Sequence, residues 1–469
     1  MIPVAAYAGR RVGVLGLGRS GMATARALAA GGAEPLLWDD GEAARERVGA
    51  EFPLGNLARP REAASLAALI VSPGVPHLYP IPHPAVAAAR EHGVPIDNEI
   101  GLFFAALAQR DLDWEDEGPE PKIVCITGSN GKSTTTALLH HVLRATGRPA
   151  QMGGNIGRAA LDLDPPGAGE TVVLELSSYQ TELARSLSPD IAVFLNLQPD
   201  HLGRHGGMGG YFAAKRRLFE AGAPERAIIG IDEPEGLALA ATAEPETLIR
   251  LSTARRLKGD GWSVFMNRNH LTEWRGDKQV AAFDLRDCPG LIGRHNHQNA
   301  CAAWAAARAL GLGPGRIGPA MAGFPGLAHR MERLGERGGV TWINDSKATN
   351  ASASAHALAA CERIRWIAGG RAKEDGVAAL APFVNQIAHA YFIGEAAERF
   401  AAELPGLGHR IAGTLEAAVA AAAEDAAPGD TILLSPAAAS FDQFPDFEAR
   451  GEAFRALARA HIDQKEPDA

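Results

Sequence analysis

The chain has 469 residues, with 46 basic and 55 acidic side chains giving a net charge of −9, and 46% of its residues are hydrophobic. At about 150 residues per domain, this length holds roughly three domains with cores of their own and excludes a single small binding module. The acidic balance speaks against a nucleic-acid or membrane-surface protein, so any phosphate site must be local. Cys125, Cys288, Cys301 and Cys361 form no CxxC pair and read as reduced thiols, not as a disulfide framework or a zinc cluster. No stretch resembles a signal peptide or reaches about 18 uninterrupted apolar residues, so the expected address is the cytoplasm, without membrane insertion.

In chain order, RVGVLG at 11–16 reads as a strand opening a glycine turn and an alanine-rich helix from Met22 to Ala30. Pro35 to Trp38, Ala68 to Ser72 and Val94 to Asp97 continue an α/β alternation to about residue 110. The acidic, proline-bearing stretch 111–121 suits a solvated linker. Lys122 to Thr127 then predicts a strand, followed by a loop and a helix, and Thr171 to Leu176 and Ile191 to Leu197 predict further strands. Residues 247–287 alternate in the manner of inserted antiparallel hairpins, and a helix is expected from Asn296 to Leu310. After FPGLAHR at 324–330, strands at Val340 to Asn344, Ile364 to Ala368, Ala390 to Gly394 and Asp430 to Ser435 indicate another α/β domain. The predicted architecture is α/β in three domains: a Rossmann-like domain at 1–115, a P-loop ATPase-like domain with extra antiparallel strands at 120–325, and a Rossmann-like domain at 326–469.

Two loops carry phosphate chemistry. Gly16-Leu17-Gly18-Arg19-Ser20-Gly21 is a GxGxxG between strand and helix, with Asp39 about 20 residues on, where a diphosphate would meet a helix N-terminus. By itself this pattern fits a dinucleotide oxidoreductase, or a glycine turn that only packs helix on strand. Thr127-Gly128-Ser129-Asn130-Gly131-Lys132-Ser133 ends as a P-loop does, although Ile126 stands where the general motif has glycine. Its backbone N–H groups and Lys132 suit ATP phosphates, and the Ser133 hydroxyl suits Mg²⁺. Glu175, Asp200 and His201 follow strands, where acids and imidazole converge on a metal; singly, Glu175 could cap the next helix and His201 could be an ordinary histidine. Lys215 alone reads as a solvated helix lysine, and Asp345-Ser346 as a helix N-cap after a strand.

GSNGKST, GGNIG at 153–157, ELSSYQ at 175–180, NLQPDH at 196–201 with YFAAK after it, GRHNHQN at 293–299, HR at 329–330, DSKATN at 345–350 and SPAAASFDQF at 435–444 follow one another as in the Mur ligases, which the whole chain resembles. The last two motifs resemble the branch that joins D-glutamate to UDP-N-acetylmuramoyl-L-alanine. The resemblance implies an ADP-forming acid:amino-acid ligase of peptidoglycan synthesis. ATP would turn the L-alanine carboxylate into an acyl phosphate, and the amine of D-glutamate would attack it. A Mur-type ligase for a different amino acid is the alternative, and an NAD-dependent oxidoreductase or a regulatory P-loop protein would be different classes.

The implied ATP site is Gly128, Ser129, Asn130, Gly131, Lys132, Ser133 and Thr134, with Asn296, Asn299, Arg330 and Asp345 toward the adenosine. Arg19, Ser20, Asp39, Gly74 and Asn155 would bind the UDP substrate. Lys347, Thr349, Lys373, Ser440, Phe441 and Phe447 would bind the amino acid, and Lys132, His201 and Lys215 would be catalytic. Two Mg²⁺ sites would draw on Ser133, Glu175, His201 and, as a CO₂-derived carbamate, Lys215. The implied partners are these small molecules and no nucleic acid, with the chain a monomer. Gln198, Gly203, Arg371 and Ala438 depart from residues common at the matching positions.

Overall fold

A computed structural model of the chain describes residues 1–49, 51–110, 118–257, 259, 261–291, 293, 296–372 and 376–463. Most of the expected linker and Lys373 lie outside the described residues. The strands form three sheets. β1 (Arg11–Leu15), β2 (Glu34–Trp38), β3 (Ala68–Val71) and β4 (Ile96–Asp97) make an all-parallel sheet in the order β2-β1-β3-β4. Its switch point is β1, and the glycine loop follows it, where ligands dock on such sheets.

The second sheet has nine strands: β5 (Lys122–Thr127), β6 (Ala150–Gly154), β7 (Thr171–Glu175), β8 (Ile191–Phe194), β9 (Arg226–Gly230), β10 (Leu248–Ser252), β11 (Trp262–Asn267), β12 (His270–Arg275) and β13 (Lys278–Asp284). The order is β13-β12-β11-β10-β9-β8-β5-β7-β6, so β5 is the switch point that launches GSNGKST. β5, β7 and β8 are buried almost throughout, as continuous apolar runs in a parallel sheet should be. The expectation of separate inserted hairpins between 247 and 287 is corrected: β10 pairs in parallel with β9 and β11, and only β11–β13 form an antiparallel meander, which extends the same sheet.

Glu273 of β12 fastens this extension. It is fully buried and accepts from Trp304 Nε1 at 3.0 Å and Arg308 Nε at 2.8 Å, both on the helix Asn296–Ala309. The clamp fixes the helix that presents Asn296 and Asn299.

The third sheet is β14 (Glu332–Arg337), β15 (Val340–Asn344), β16 (Ile364–Gly369), β17 (Ile387–Ile393), β18 (His409–Gly413) and β19 (Thr431–Leu434), in the order β14-β15-β19-β16-β17-β18. β14 alone is antiparallel, and neither it nor β18 is legible as an apolar run in the sequence. Its two faces each carry an apolar cluster, around Trp366 and Phe392 on one side and Trp342 and Phe454 on the other.

The chain divides into two compact units, Met1–Asp287 with Arg294–Ala322, and Cys288–Gly293 with Gly323–Ala469. The first two sheets share a unit because helix Glu99–Arg110 puts Ile100, Phe103 and Phe104 into one core with Val12 of β1 and Cys125 and Leu174 of the second sheet. All four cysteines are buried and lie outside any disulfide.

Candidate active site

GSNGKST bends at two left-handed glycines. Gly131 has φ +85°, and a Cβ there would lie 2.1 Å from Asn299 Oδ1, so the loop and the helix Asn296–Ala309 meet as closely as they do only because residue 131 has no side chain. Thr135 Oγ1 also donates to Asn299 Oδ1, and Asn299 Nδ2 donates to Asn296 Oδ1 at 2.9 Å. Asn296 and Asn299 are thereby brought to the phosphate loop.

On the other side Ser129 Oγ bonds Tyr211 OH at 3.0 Å and accepts from Gln198 N, while Asn130 Nδ2 donates to Gln198 Oε1. Gln198 thus braces the loop. Lys132, Ser133 and Thr134 begin the helix Lys132–Ala145. Lys132 Nζ donates to Gly128 O at 2.9 Å and Ser129 O at 2.7 Å, folded back over the cradle that phosphates would fill.

Lys215, on helix Met208–Glu220, is buried at 1% exposure. Its Nζ donates to the same Gly128 O at 2.8 Å and lies 4.7 Å from the Tyr211 ring centre. Burial, helped by the Lys132 charge, pulls its pKa well below the ordinary lysine value, so the solvated-lysine reading is corrected. Burial raises the Tyr211 phenol to about 12, which keeps it a neutral hydrogen-bond donor.

Glu175 ends β7 and is 2% exposed; Oε1 accepts from Asn155 Nδ2 at 3.0 Å, and Oε2 is buried with no hydrogen-bond partner. It caps nothing: Ser177 is the N-cap of Ser178–Leu183, in a capping box with Gln180. His201 is in the left-handed region, φ 52°, with Nε2 3.3 Å from Asp200 Oδ2, and burial lowers its pKa. Among the described residues no three His, Cys, Asp or Glu side chains converge as a metal cluster. An orphaned, buried carboxylate oxygen is nevertheless what a hard cation needs, and Mg²⁺ takes one or two protein oxygens beside substrate phosphates and water. Glu175 with the Ser133 hydroxyl fits that description. Lys215 fits a cation only after conversion to an anion.

At the first sheet, Ser72 Oγ donates to Gly16 O at 2.8 Å, joining the loop that holds Gly74 to the glycine turn. Asp39 holds the turn itself, Oδ2 accepting from Leu17 N at 2.7 Å and Oδ1 from Gly41 N at 2.8 Å. Ser20 lies beside the buried Glu99 carboxyl. Arg19 reaches the second sheet, its Nη2 donating to Asn155 O at 3.4 Å. Arg19 and Asn155, expected to share one ligand, are therefore adjacent.

In the second unit three loops converge. Asp345 is 5% exposed, accepts from Ser435 Oγ and Met331 N, and burial lifts its pKa to about 7. Its expected role as an N-cap is corrected: the next helix starts at Ala351, and Asn350 caps it. Lys347 Nζ lies 3.8 Å from the Phe447 ring centre, and Ser346 Oγ donates to Phe447 O at 2.8 Å, so DSKATN meets the 435–447 segment. Ser440 is buried, Thr349 half-buried and Phe441 63% exposed. Arg371 N and Ala439 N each bond the other's carbonyl, which brings in the glycine loop after β16.

One residue that sequence reasoning missed ties them all. Arg450 is 1% exposed, with Nε on Ser346 Oγ, Nη2 on Ser346 O and Nη1 on Gly369 O and Ala438 O. On an amphipathic C-terminal helix an arginine defaults to solvent, and no local signal marks it.

A phosphate loop with its lysine, a buried carboxylate and a histidine, gathered at the carboxyl ends of a parallel sheet, define a nucleotide-dependent enzyme. The Mur ligase middle domain matches residues 126–307, and the Mur ligase glutamate ligase domain matches residues 329–438. The chain belongs to the Mur ligase family. It is 58% identical over 465 residues to the UDP-N-acetylmuramoylalanine–D-glutamate ligase of Cereibacter sphaeroides (strain ATCC 17029 / ATH 2.4.9), covering 98% of this chain and 100% of the relative. The enzyme of that name from Ruegeria pomeroyi is 56% identical over 468 residues, covering 99% and 100%. In fold the chain is similar to UDP-N-acetylmuramate-alanine ligase from Thermotoga maritima, with TM-score 0.59 and 17% identity over 96% of this chain and 99% of the other. Among the described residues no helix is long and apolar enough to cross a membrane.

Proposed function

We propose that this chain joins D-glutamate to UDP-N-acetylmuramoyl-L-alanine, cleaving ATP to ADP and phosphate, as a step of peptidoglycan synthesis. The observation that carries the reading is full-length identity of 58% to a D-glutamate ligase. It is supported by the meeting of DSKATN and the 435–447 segment around Lys347, Ser346 and Phe447.

The L-alanine carboxylate attacks the γ-phosphorus, the bond to the bridging oxygen breaks and ADP leaves. The amine of D-glutamate then attacks the acyl carbon, phosphate departs and the ammonium proton is lost to water. Lys132 swings from the carbonyls of Gly128 and Ser129 to the phosphates, whose charge it offsets as the phosphoryl group transfers. The GSNGKST amides fix the phosphates, Asn296 and Asn299 lie toward the nucleoside, and Arg330 and Asp345 are further nucleotide contacts in this reading. Arg19, Ser20, Asp39, Gly74 and Asn155 receive the UDP substrate. Lys347, Thr349, Ser440, Phe441 and Phe447 receive D-glutamate, with Lys373 as a further cation.

Mg²⁺, held by Ser133 and Glu175 and at a second position by His201 and Lys215, would supply charge neutralisation between the two anions. Lys215 would serve as a carbamate, for which a depressed pKa is the prerequisite because only a neutral amine adds to CO₂. The protein would act as a cytoplasmic monomer. An orthogonal check of the carbamate is ¹³C NMR of enzyme in ¹³C-bicarbonate, where a carbamate signal is expected from wild type and not from Lys215→Arg.

The reaction is tested by phosphate release from Mg-ATP with UDP-N-acetylmuramoyl-L-alanine, offering D-glutamate, L-glutamate, L-lysine and meso-diaminopimelate in parallel, with products checked by mass. Amide formation with D-glutamate alone is expected. Turnover with another of these amines instead would overturn the substrate while keeping the ligase chemistry.

A further inference from the structure

Three segments of the first unit meet at one cluster of buried polar side chains. Arg204 lies three residues beyond His201. Its Nη2 donates to Val75 O at 3.0 Å and to His77 Nδ1 at 2.9 Å, both in the loop that follows β3 and carries Gly74. Its guanidinium also stacks 5.1 Å from the Tyr179 ring centre.

Glu182 closes the triangle from the helix that follows Glu175. Its Oε2 is 3.5 Å from His77 Nε2 and 3.7 Å from Arg204 Nη1, and its Oε1 is 3.4 Å from His205 Nδ1. Burial drops the His77 pKa to about 4, so the ring is neutral, accepting at Nδ1 and carrying its proton on Nε2 toward Glu182. The backbone is shaped for the approach too. Gly206 has φ +67°, and a Cβ there would lie 2.9 Å from the Tyr79 ring.

The long distances matter. Glu182 Oε2, Arg204 Nε and Nη1 and His205 Nδ1 are buried yet have no hydrogen-bond partner. Buried polar groups left unpaired are destabilising, so a shift of well under 1 Å that drew the three segments together would be driven by the bonds it completes.

We infer that Arg204 and Glu182 form a latch that couples seating of the UDP substrate on the Gly74 loop to the arrangement of Glu175 and His201 at the nucleotide. Arg204 is a positioning residue: its guanidinium bonds no metal-ligating side chain, its backbone N–H donates to His201 O at 2.9 Å, and it acts through the segments it joins. The inference rests on the functional reading above, since that reading makes the Gly74 loop a UDP-substrate contact. Coupling between the two ligands must then be reciprocal, each tightening the other by one factor.

The test is calorimetric binding of UDP-N-acetylmuramoyl-L-alanine to the full chain, with and without Mg²⁺ and a non-hydrolysable ATP analogue. The expected wild-type coupling is about tenfold, within the usual range for linked sites. In Arg204→Ala it should fall to about onefold, while the analogue alone binds within threefold of wild type. Arg204→Lys keeps the charge but loses simultaneous reach to Val75 O and His77 Nδ1, so its coupling should also fall. Glu182→Gln is a gentler variant, expected to lower coupling without removing volume, and is decisive if Arg204→Ala does not fold.

A merely structural role would weaken both single affinities and leave the coupling factor alone. That outcome, or a wild type without coupling, overturns the latch and leaves the functional reading standing. Failure of wild type to bind the UDP substrate at all overturns the functional reading and the latch with it.

Discussion

Two cations are buried to the same 1% exposure, Lys215 beside the phosphate loop and Arg450 beneath the loops of the third sheet, and neither hydrogen-bonds a carboxylate. Desolvation penalises both, but the residue type decides the result. A lysine can shed its proton, and Lys215 is driven well below its ordinary pKa, toward the neutral amine that could become something else. An arginine cannot shed it: Arg450 falls only to about 10 and stays charged at any physiological pH. Its planar fork spreads that charge over one hydroxyl and three carbonyls. The first site favours a neutral amine, and the second holds shape while keeping a positive field under loops proposed to bind a dicarboxylate.

The comparison breaks most sharply at Lys215. Lys215→Arg replaces a dischargeable cation by a permanent one, and amide formation should fall by about 10³-fold or more, while circular dichroism shows native folding. A variant with a tenth of wild-type activity would refute a chemical role for the lysine. Next in size is Glu273→Ala, a control in which the buried charge is paired: stranding Arg308 should cost about 3–5 kcal/mol, read by urea unfolding.

Arg450→Met then tests the holding role. Leaving its buried acceptors unpaired should cost about 2–3 kcal/mol and raise the KM for D-glutamate more than that for ATP. An unchanged KM ratio would confine Arg450 to stability alone.

The smallest effect extends the comparison to a carboxyl. Burial raises Asp97 to about 6 even though its Oδ1 accepts from Asn98 N and Arg185 N. The folded state therefore holds this proton more tightly than the unfolded state, and the stability it contributes is full below about pH 4 and lost as pH rises through 6. Asp97→Asn should remove that dependence and stabilise the protein by on the order of 1–2 kcal/mol at pH 8 relative to pH 5, seen in paired thermal melts.

What could be read in the sequence follows from where the information lies. Strands such as Ile191–Phe194 announce themselves because a parallel sheet buries both faces, and GSNGKST and the Gly16–Gly21 turn are contiguous. β14 and β18 carry mostly charged or half-exposed residues at sheet margins, so periodicity had nothing to register. Lys215 was dull until folding placed it on Gly128 O, and Tyr211, one turn earlier on the same helix, could have hinted at an inward face. Arg204, Glu182 and Arg450 each depend on a partner more than 100 positions away, Val75, His77 and Ser346 in turn, which no local pattern encodes.

The absent side chain at Gly131 has a consequence for medicine. Every amino acid that a single nucleotide change can put there carries a Cβ, and that atom would fall 2.1 Å from Asn299 Oδ1 in a backbone already at φ +85°. An inhibitor that spans this junction of loop and helix would leave a bacterium little room to escape by mutating residue 131, because the substitutions that evict the drug also disturb the proposed seat of the nucleotide.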